Sequence, residues 1–227
     1  MRSNNGMRQG WQGSVAAPTI LLALLAVIAS PQVRADASGA GAATVVIVDT
    51  DPSQLIDTAA QAMLHELDAH RAEYRQVPDK INTLVDRILL PHFDTDYSAR
   101  LVLGRHWTTA SPEQRQRFVD GFYHSLLSSY GAALLNFTGD RLKVLPYKGD
   151  PAARNATVRT QVRKNDGTLV AVNYSLHRTA KGWMAWDVAI EGISYVKSFR
   201  DDFSAEIDAR GVDALIARLE KHSSETK

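Results

Sequence analysis

The sequence predicts an α+β fold: helices first, a curved antiparallel meander second and a C-terminal helical segment last. Three observations carry this. Apolar residues recur about every fourth position from Pro52 to Leu134. The period then drops to two between Ala156 and Ile190, with turn residues at the breaks. Helical spacing returns from Asp201 to Lys221. A chain of 227 residues suits one domain, and its 44% hydrophobic content lies well above the disordered class.

Residues 1–35 stand outside that fold. Arg2 and Arg8 precede an apolar run from Ile20 to Ile28, no acid occurs before Asp36, and Val33-Arg34-Ala35 offers small residues at a cleavage site. This is the pattern of a cleavable secretory signal peptide. The rival reading is a membrane anchor, but even Val15 to Ala29 falls short of the roughly 20 apolar residues a spanning helix needs. Cleavage would remove three arginines and no acid, leaving 192 residues at net −2. The expected product is a soluble exported protein, periplasmic if the source is bacterial. Residues 36–51 are largely small and read as a flexible leader, with an isolated strand-like run at Val45-Val46-Ile47-Val48. One domain is expected over 52–221 and a tail over 222–227.

Pro52 opens a helix with Leu55, Ala59, Met63 and Leu67 on one stripe. A second helix follows Pro78, with Ile81, Leu84, Val85 and Ile88 inward, and Pro91 ends it. Phe93, Tyr97 and Leu101 continue at helical spacing to a stop at Gly104. Ser111-Pro112-Glu113-Gln114 is a capping box with Pro at the first helical position. The helix it starts carries Phe118, Phe122, Leu126, Tyr130 and Leu134, and is expected to be the longest.

Among the strands, Ala156, Val158, Thr160 and Val162 alternate with polar residues up to the turn Asn165-Asp166-Gly167. Val170, Val172, Tyr174 and Leu176 form the next apolar face, Lys181-Gly182 turns again, and Met184, Trp186, Val188 and Ile190 continue the parity. Three such strands must bury one face each, and the preceding helices are the available cover. The last helical segment carries Phe203, Ile207, Val212, Leu215, Ile216 and Leu219, interrupted at Gly211.

Composition and motifs exclude much chemistry. With 26 bases against 25 acids and 7% aromatics, the chain lacks the basic excess of a nucleic-acid binder. No cysteine is present, which removes disulfides, thiol nucleophiles and cysteine metal sites. His65 and His70 are five apart, about 140° round a helix, and cannot grip one ion as a four-residue spacing does. Asp49-Thr50-Asp51 and Asp94-Thr95-Asp96 have no calcium loop after them and read as caps or turns. No nucleophile elbow, P-loop or dinucleotide fingerprint occurs. No catalytic residue, cofactor or metal is expected.

One ordered set of motifs is specific. Ser98-Ala99-Arg100-Leu101-Val102-Leu103-Gly104-Arg105-His106-Trp107 runs into Ala110-Ser111-Pro112-Glu113-Gln114-Arg115 and a Phe118-x3-Phe122-x3-Leu126-x3-Tyr130 ladder. Gly182-Trp183, Trp186 through Ser194, Arg200-x2-Phe203 and Gly211-Val212-x2-Leu215-Ile216 follow in order. From Pro52 to Leu219 the chain resembles the MlaC family, the toluene-tolerance periplasmic proteins. The resemblance implies a curved sheet of the nuclear-transport-factor type, cone-shaped, with a helical subdomain and an apolar pocket between them. It implies a carrier of phospholipid, shuttling between an inner-membrane ABC transporter with a lipid-binding ring and an outer-membrane lipoprotein–porin complex. Met184 and Trp186 stand where the family tolerates polar or Tyr side chains, a departure that bears on pocket depth.

The resemblance also turns part of an ordinary apolar core into candidate pocket wall: Val102, Tyr123, Leu127, Val172, Tyr174, Val188 and Ile190. Periodicity alone does not separate a solid core from a hollow one. Arg100 and Arg105 flank Gly104, where they would either orient a phosphate or pair with acids. The alternative function is a periplasmic enzyme or interaction module on the same sheet, needing an acid/base pair such as Tyr174 with Asp187. Those two have opposite strand parity.

Overall fold

The protein, in a computed structural model, is described over residues 51–77, 79–136, 141–150, 152–164 and 166–225. The expected signal peptide, the leader other than Asp51, and the Val45–Val48 run lie outside the described residues.

Helix α1 (Pro52–Gln76) starts where the sequence sets it: the Asp51 carboxylate accepts from the Ser53 amide at 2.8 Å, with Pro52 in the first turn. Its 25 residues are two helical stretches joined across a kink at His70, so α5 (Pro112–Tyr130), at 19 residues, is the longest unbroken helix among the described residues. The four-residue stripe of α1 ends at Leu67, just before the kink. The helix continues across non-helical backbone at His70 and buries one more apolar side chain, Tyr74. Helix α2 (Asp79–Ile88) buries Ile81, Leu84 and Val85, and a 3-10 turn at Leu90–His92 holds Pro91. Asp94 caps α3 (Thr95–Leu103) by accepting from the Tyr97 amide. Gly104 stops it at φ 54°, ψ −121°, a conformation open to glycine alone, with the Arg200 side chain packed on the spot a Cβ would fill. Short α4 (His106–Thr109) leads into α5, whose capping box has both bonds in place: Gln114 amide to Ser111 Oγ and Ser111 amide to Gln114 Oε1.

After a 3-10 turn at Gly131–Asn136, five strands form one antiparallel meander in chain order: β1 (Leu142–Val144), β2 (Asn155–Arg163), β3 (Leu169–Thr179), β4 (Gly182–Ile190) and β5 (Ile193–Ser194). The expected alternation holds through β2 and β3, where Ala156, Val158, Thr160, Val162, Val170, Val172, Tyr174 and Leu176 point to one buried face. In β4 it fails. The register shifts between Ser175 and Leu176, so that Ser175 pairs with Asp187 but Leu176 with Ala185. Trp186 is the extra residue of this bulge, and parity inverts beyond it. Trp183 and Ala185, not Met184 and Trp186, therefore join Val188 and Ile190 on the inner face. On the outer face the ring of Tyr97 in α3 meets Trp186 edge-on, and Ser98 Oγ donates to the Trp186 carbonyl at 2.6 Å, pinning the bulge.

Helix α6 (Tyr195–Arg210) begins six residues before the expected Asp201. Ser194 accepts from the Lys197 amide, and Asp187, back in β4, accepts from the Val196 amide and from Ser194 Oγ. Half of that cap comes from another strand, where local spacing cannot reveal it. Gly211 separates α6 from α7 (Val212–Glu225), which runs over most of the expected tail.

Two apolar clusters result. The first lies between the inner sheet face and α1, α2 and the turn after α5, and includes Met63, Leu67, Ile81, Val172 and Leu176. The second is purely helical, joining α3, α5, α6 and α7 around Phe118, Phe122, Phe203, Leu215 and Ile216. Its aromatic rings interlock: Phe118 stacks on Phe122 at 5.5 Å, and both meet Phe203 edge-on. Helix α5 serves both, with Phe118, Val119 and Phe122 in the helical cluster and Leu127 and Tyr123 against the sheet cluster.

Candidate functional site

The inner sheet face and the helices that cover it form the candidate site. Val172 at the middle of β3 pairs with Thr160 on one side and Ile190 on the other, and Tyr174 pairs with Val158 and Val188. These positions alternate inward because side chains two apart on a strand share a face. Leu127, Val172, Tyr174 and Ile190 belong to the sheet cluster, with Tyr123 and Val188 packed on it half-buried. Six of the seven wall candidates are thus brought together. Val102 is not: it sits fully buried in the helical cluster, since its side of α3 faces α5 and α6.

The opposing wall is α1 with α2, through Leu55, Met63, Leu67, Ile81 and Leu84. Their stripes were readable as helical periodicity; that they face the sheet was not. Trp183 and Ala185 were missed on the sheet side because nothing in the local pattern marks the bulge. Met63, Leu67, Ile81, Val172 and Leu176 are each 0% exposed, so sheet and helices meet closely.

Polar groups fasten the rim. Tyr123 of α5 donates its hydroxyl to Asp86 of α2 at 2.5 Å. Burial, with this neighbouring carboxylate, pushes the Tyr123 phenol well above its ordinary range. Burial does the same to Tyr174. Arg71 of α1 donates to the Leu135 carbonyl and to Asp68, and Arg87 of α2 pairs with Glu66 of α1. The Leu135 bond ties α1 to the turn after α5 and the Arg87–Glu66 pair ties α2 to α1, while Arg71–Asp68 lies within α1.

The other singled-out residues lie elsewhere. Arg105 pairs with Asp208, and Arg100 lies over the Tyr97 ring 5.3 Å from its centroid; neither reaches the sheet face. His177 points outward, bonded to Asp94 at 2.9 Å with Tyr97 over its ring. Asp187 is buried on the outer side, engaged by Ser194 and the Val196 amide, and does not converge with Tyr174. Among the described residues no three His, Asp or Glu side chains gather in a metal-holding group, and no helix is long and apolar enough to cross a membrane.

The arrangement is an apolar sheet face covered by α1 and α2. Known proteins resemble the chain in sequence and fold. The family model described as "MlaC protein" matches residues 57–221. The toluene tolerance protein ttg2D of Pseudomonas putida is 32% identical over 163 residues, 71% of this chain and 75% of that protein. The intermembrane phospholipid transport system binding protein MlaC of Haemophilus influenzae is 23% identical over 182 residues, 79% of this chain and 85% of its own length. A phospholipid-binding protein from Ralstonia solanacearum, solved in complex with a phospholipid, superposes with TM-score 0.71 at 26% identity, covering 78% of this chain and 98% of that structure. With the motif order, the sheet and these matches in agreement, the chain belongs to the MlaC family.

Proposed function

We propose that the protein is a periplasmic phospholipid carrier, exported by its N-terminal signal peptide. It takes acyl chains between the inner sheet face and α1–α2, and passes lipid between an inner-membrane ABC transporter with a lipid-binding ring and an outer-membrane lipoprotein–porin complex. The observation that carries this reading is the apolar face of β2–β4, lined by Val172, Tyr174, Val188 and Ile190 and covered by helices rather than by a second sheet. A relative of matching fold was solved with a phospholipid bound. The work is binding and release, with no covalent step.

The energetics fit a carrier that opens. A 16-carbon chain has about 14 methylenes worth roughly 0.8 kcal/mol each, so two chains represent about 22 kcal/mol of transfer free energy. That exceeds the ceiling of roughly 18–21 kcal/mol for non-covalent binding. Separating the packed helices from the sheet exposes apolar surface and offsets part of this gain. The offset keeps release within reach of a partner that holds the lid open. Leu127, Tyr123 and the sheet residues would line the chains, while Val102 would act only through the helical cluster that supports α5.

The test is mass spectrometry of lipid extracted from protein purified without detergent. About one phospholipid per chain is expected. Preparations that stay empty and take up none from liposomes would overturn the carrier reading.

A further inference from the structure

The outer face of β1 and β2 carries a charge arrangement that lipid carriage does not use. Between Arg141 and Lys164 the sequence has seven Lys or Arg and one acid, Asp150. The alternation that buries Val158, Thr160 and Val162 sends Arg159, Gln161 and Arg163 outward, and Lys143 of β1 pairs directly with Gln161. Residues two apart on one strand face project about 7 Å apart and neighbouring strands lie about 4.8 Å apart, so three exposed cations ring one half-buried glutamine. Lys143, Arg159 and Arg163 are all exposed, and their side chains make no ion pair among the described residues.

Elsewhere many surface cations are paired. Arg87 pairs with Glu66, Arg117 with Glu220, Lys197 with Asp201 and Arg218 with Glu206. Around the β1–β2 face the acids are already engaged by backbone amides: Asp150 by Ala152, Asp166 by Thr168 and Glu191 by Ala171. Among the described residues Lys143, Arg159 and Arg163 thus stand as three neighbouring exposed cations without an ion-pair partner.

We propose that the outer β1–β2 face is a docking surface for an acidic surface of a partner protein. Arginine's planar fork suits carboxylates, and Thr157, Gln161 and Asn173 around it supply the hydrogen-bonding groups of a protein interface. A bilayer is the poorer match: membrane-surface elements set a band of apolar side chains among their cations, whereas here one large apolar side chain, Leu169 opposite Arg163, is exposed beside the polar Thr157, Gln161 and Asn173 and the small Ala171. The sheet holds the cations in fixed register, and they would steer encounter with an acidic patch by long-range attraction. This inference rests on charge placement and stands apart from lipid carriage; lipid extracted from the same preparations reports on that reading separately.

The experiment replaces Gln161 with a photo-crosslinking benzoylphenylalanine in the full chain, with Gln76 of α1 replaced as control. Cells are irradiated and the crosslinked peptide is sequenced by mass spectrometry. The expected adduct at position 161 is a protein peptide rich in Asp and Glu, absent at position 76. Its yield should fall about ten-fold in Arg159→Gln/Arg163→Gln and return in Arg159→Lys/Arg163→Lys, which keeps the charge and controls for folding. Adducts to lipid alone would assign the face to a membrane and overturn the proposal. So would a yield unchanged by neutralisation, a loss that the lysine variant does not restore, or no adduct above the control position.

Discussion

Val172 shows how much one residue reports about this site. It is 0% exposed at the centre of β3, between Thr160 and Ile190, with α1 and α2 above it. Val172→Trp adds an indole where none fits unless the helices move. Overpacking costs about 1–3 kcal/mol, and at this size each kcal/mol lowers the melting temperature by about 2–4 °C. The expected outcome is a lower melting temperature for the delipidated variant together with a sharp loss of bound phospholipid. Delipidation matters because ligand itself stabilises by mass action. Lost stability with normal lipid content would remove Val172 from the wall. Tyr123 gives a second readout, in pH. Its phenol is raised above 10.0 by burial and by Asp86, so folding favours the neutral form. That contribution is complete below pH 10, the value in the unfolded chain, and is lost as pH rises from there toward the higher folded value. Urea midpoints between pH 8 and pH 11 should therefore fall on the alkaline side, and fall less in Tyr123→Phe. An equal alkaline loss in the phenylalanine variant would place the titration elsewhere.

At the scale of elements, what could be read from sequence divides along a physical line. Features set by contacts within a few residues were legible: the Asp51-Pro52 start, the Ser111 capping box, the Gly104 stop, and the alternation of β2 and β3. Features set by contacts far along the chain were not. The start of α6 depends on Asp187 in β4, and the bulge at Trp186 depends on Ser98 and Tyr97 of α3. The same division runs through the site. Parity placed Val172, Tyr174, Val188 and Ile190 on one face, but an unbroken parity also put Met184 and Trp186 there, and family order alone attached Val102. The bulge makes a ranking that unbroken parity would reverse. Trp183 is buried in the sheet cluster with Arg178 over its ring, whereas Trp186 lies half-buried on the outer side. Trp183→Ala should cost about 3–5 kcal/mol, within the range for a buried aromatic, and Trp186→Ala distinctly less. Urea unfolding of the two variants checks this, and the opposite order would argue for a straight β4.

The whole molecule combines a helical cluster with a sheet cluster that lies under its own helical cover. The division follows from the packing. Helices α3, α6 and α7 bury Phe118, Phe122, Phe203, Leu215 and Ile216 without using the inner sheet face, while α1 and α2 bury their apolar stripes only against that face and the turn after α5. Helix α5 is the shared member, and its Tyr123 bond to Asp86 spans the seam. If acyl chains enter between sheet and cover, loading should change protection on one side of that seam. Amide hydrogen exchange followed by mass spectrometry, comparing delipidated and phospholipid-loaded protein, is the measurement. Peptides from α1, α2 and β2–β4 should change their exchange rates on loading, because the contacts that protect them are exchanged for contacts with lipid. Peptides from α7 and from α6 beyond its first turn should not, since Tyr195 at the start of α6 is the one side chain of these two helices in contact with the sheet cluster among the described residues. The part of α5 carrying Phe118 and Phe122 should follow α6, and the part carrying Leu127 should follow the sheet. A uniform change across both clusters would mean that the molecule opens as one unit and that the seam at α5 does not exist. A change confined to α6 and α7 would move the lipid to the helical cluster, where Val102 lies.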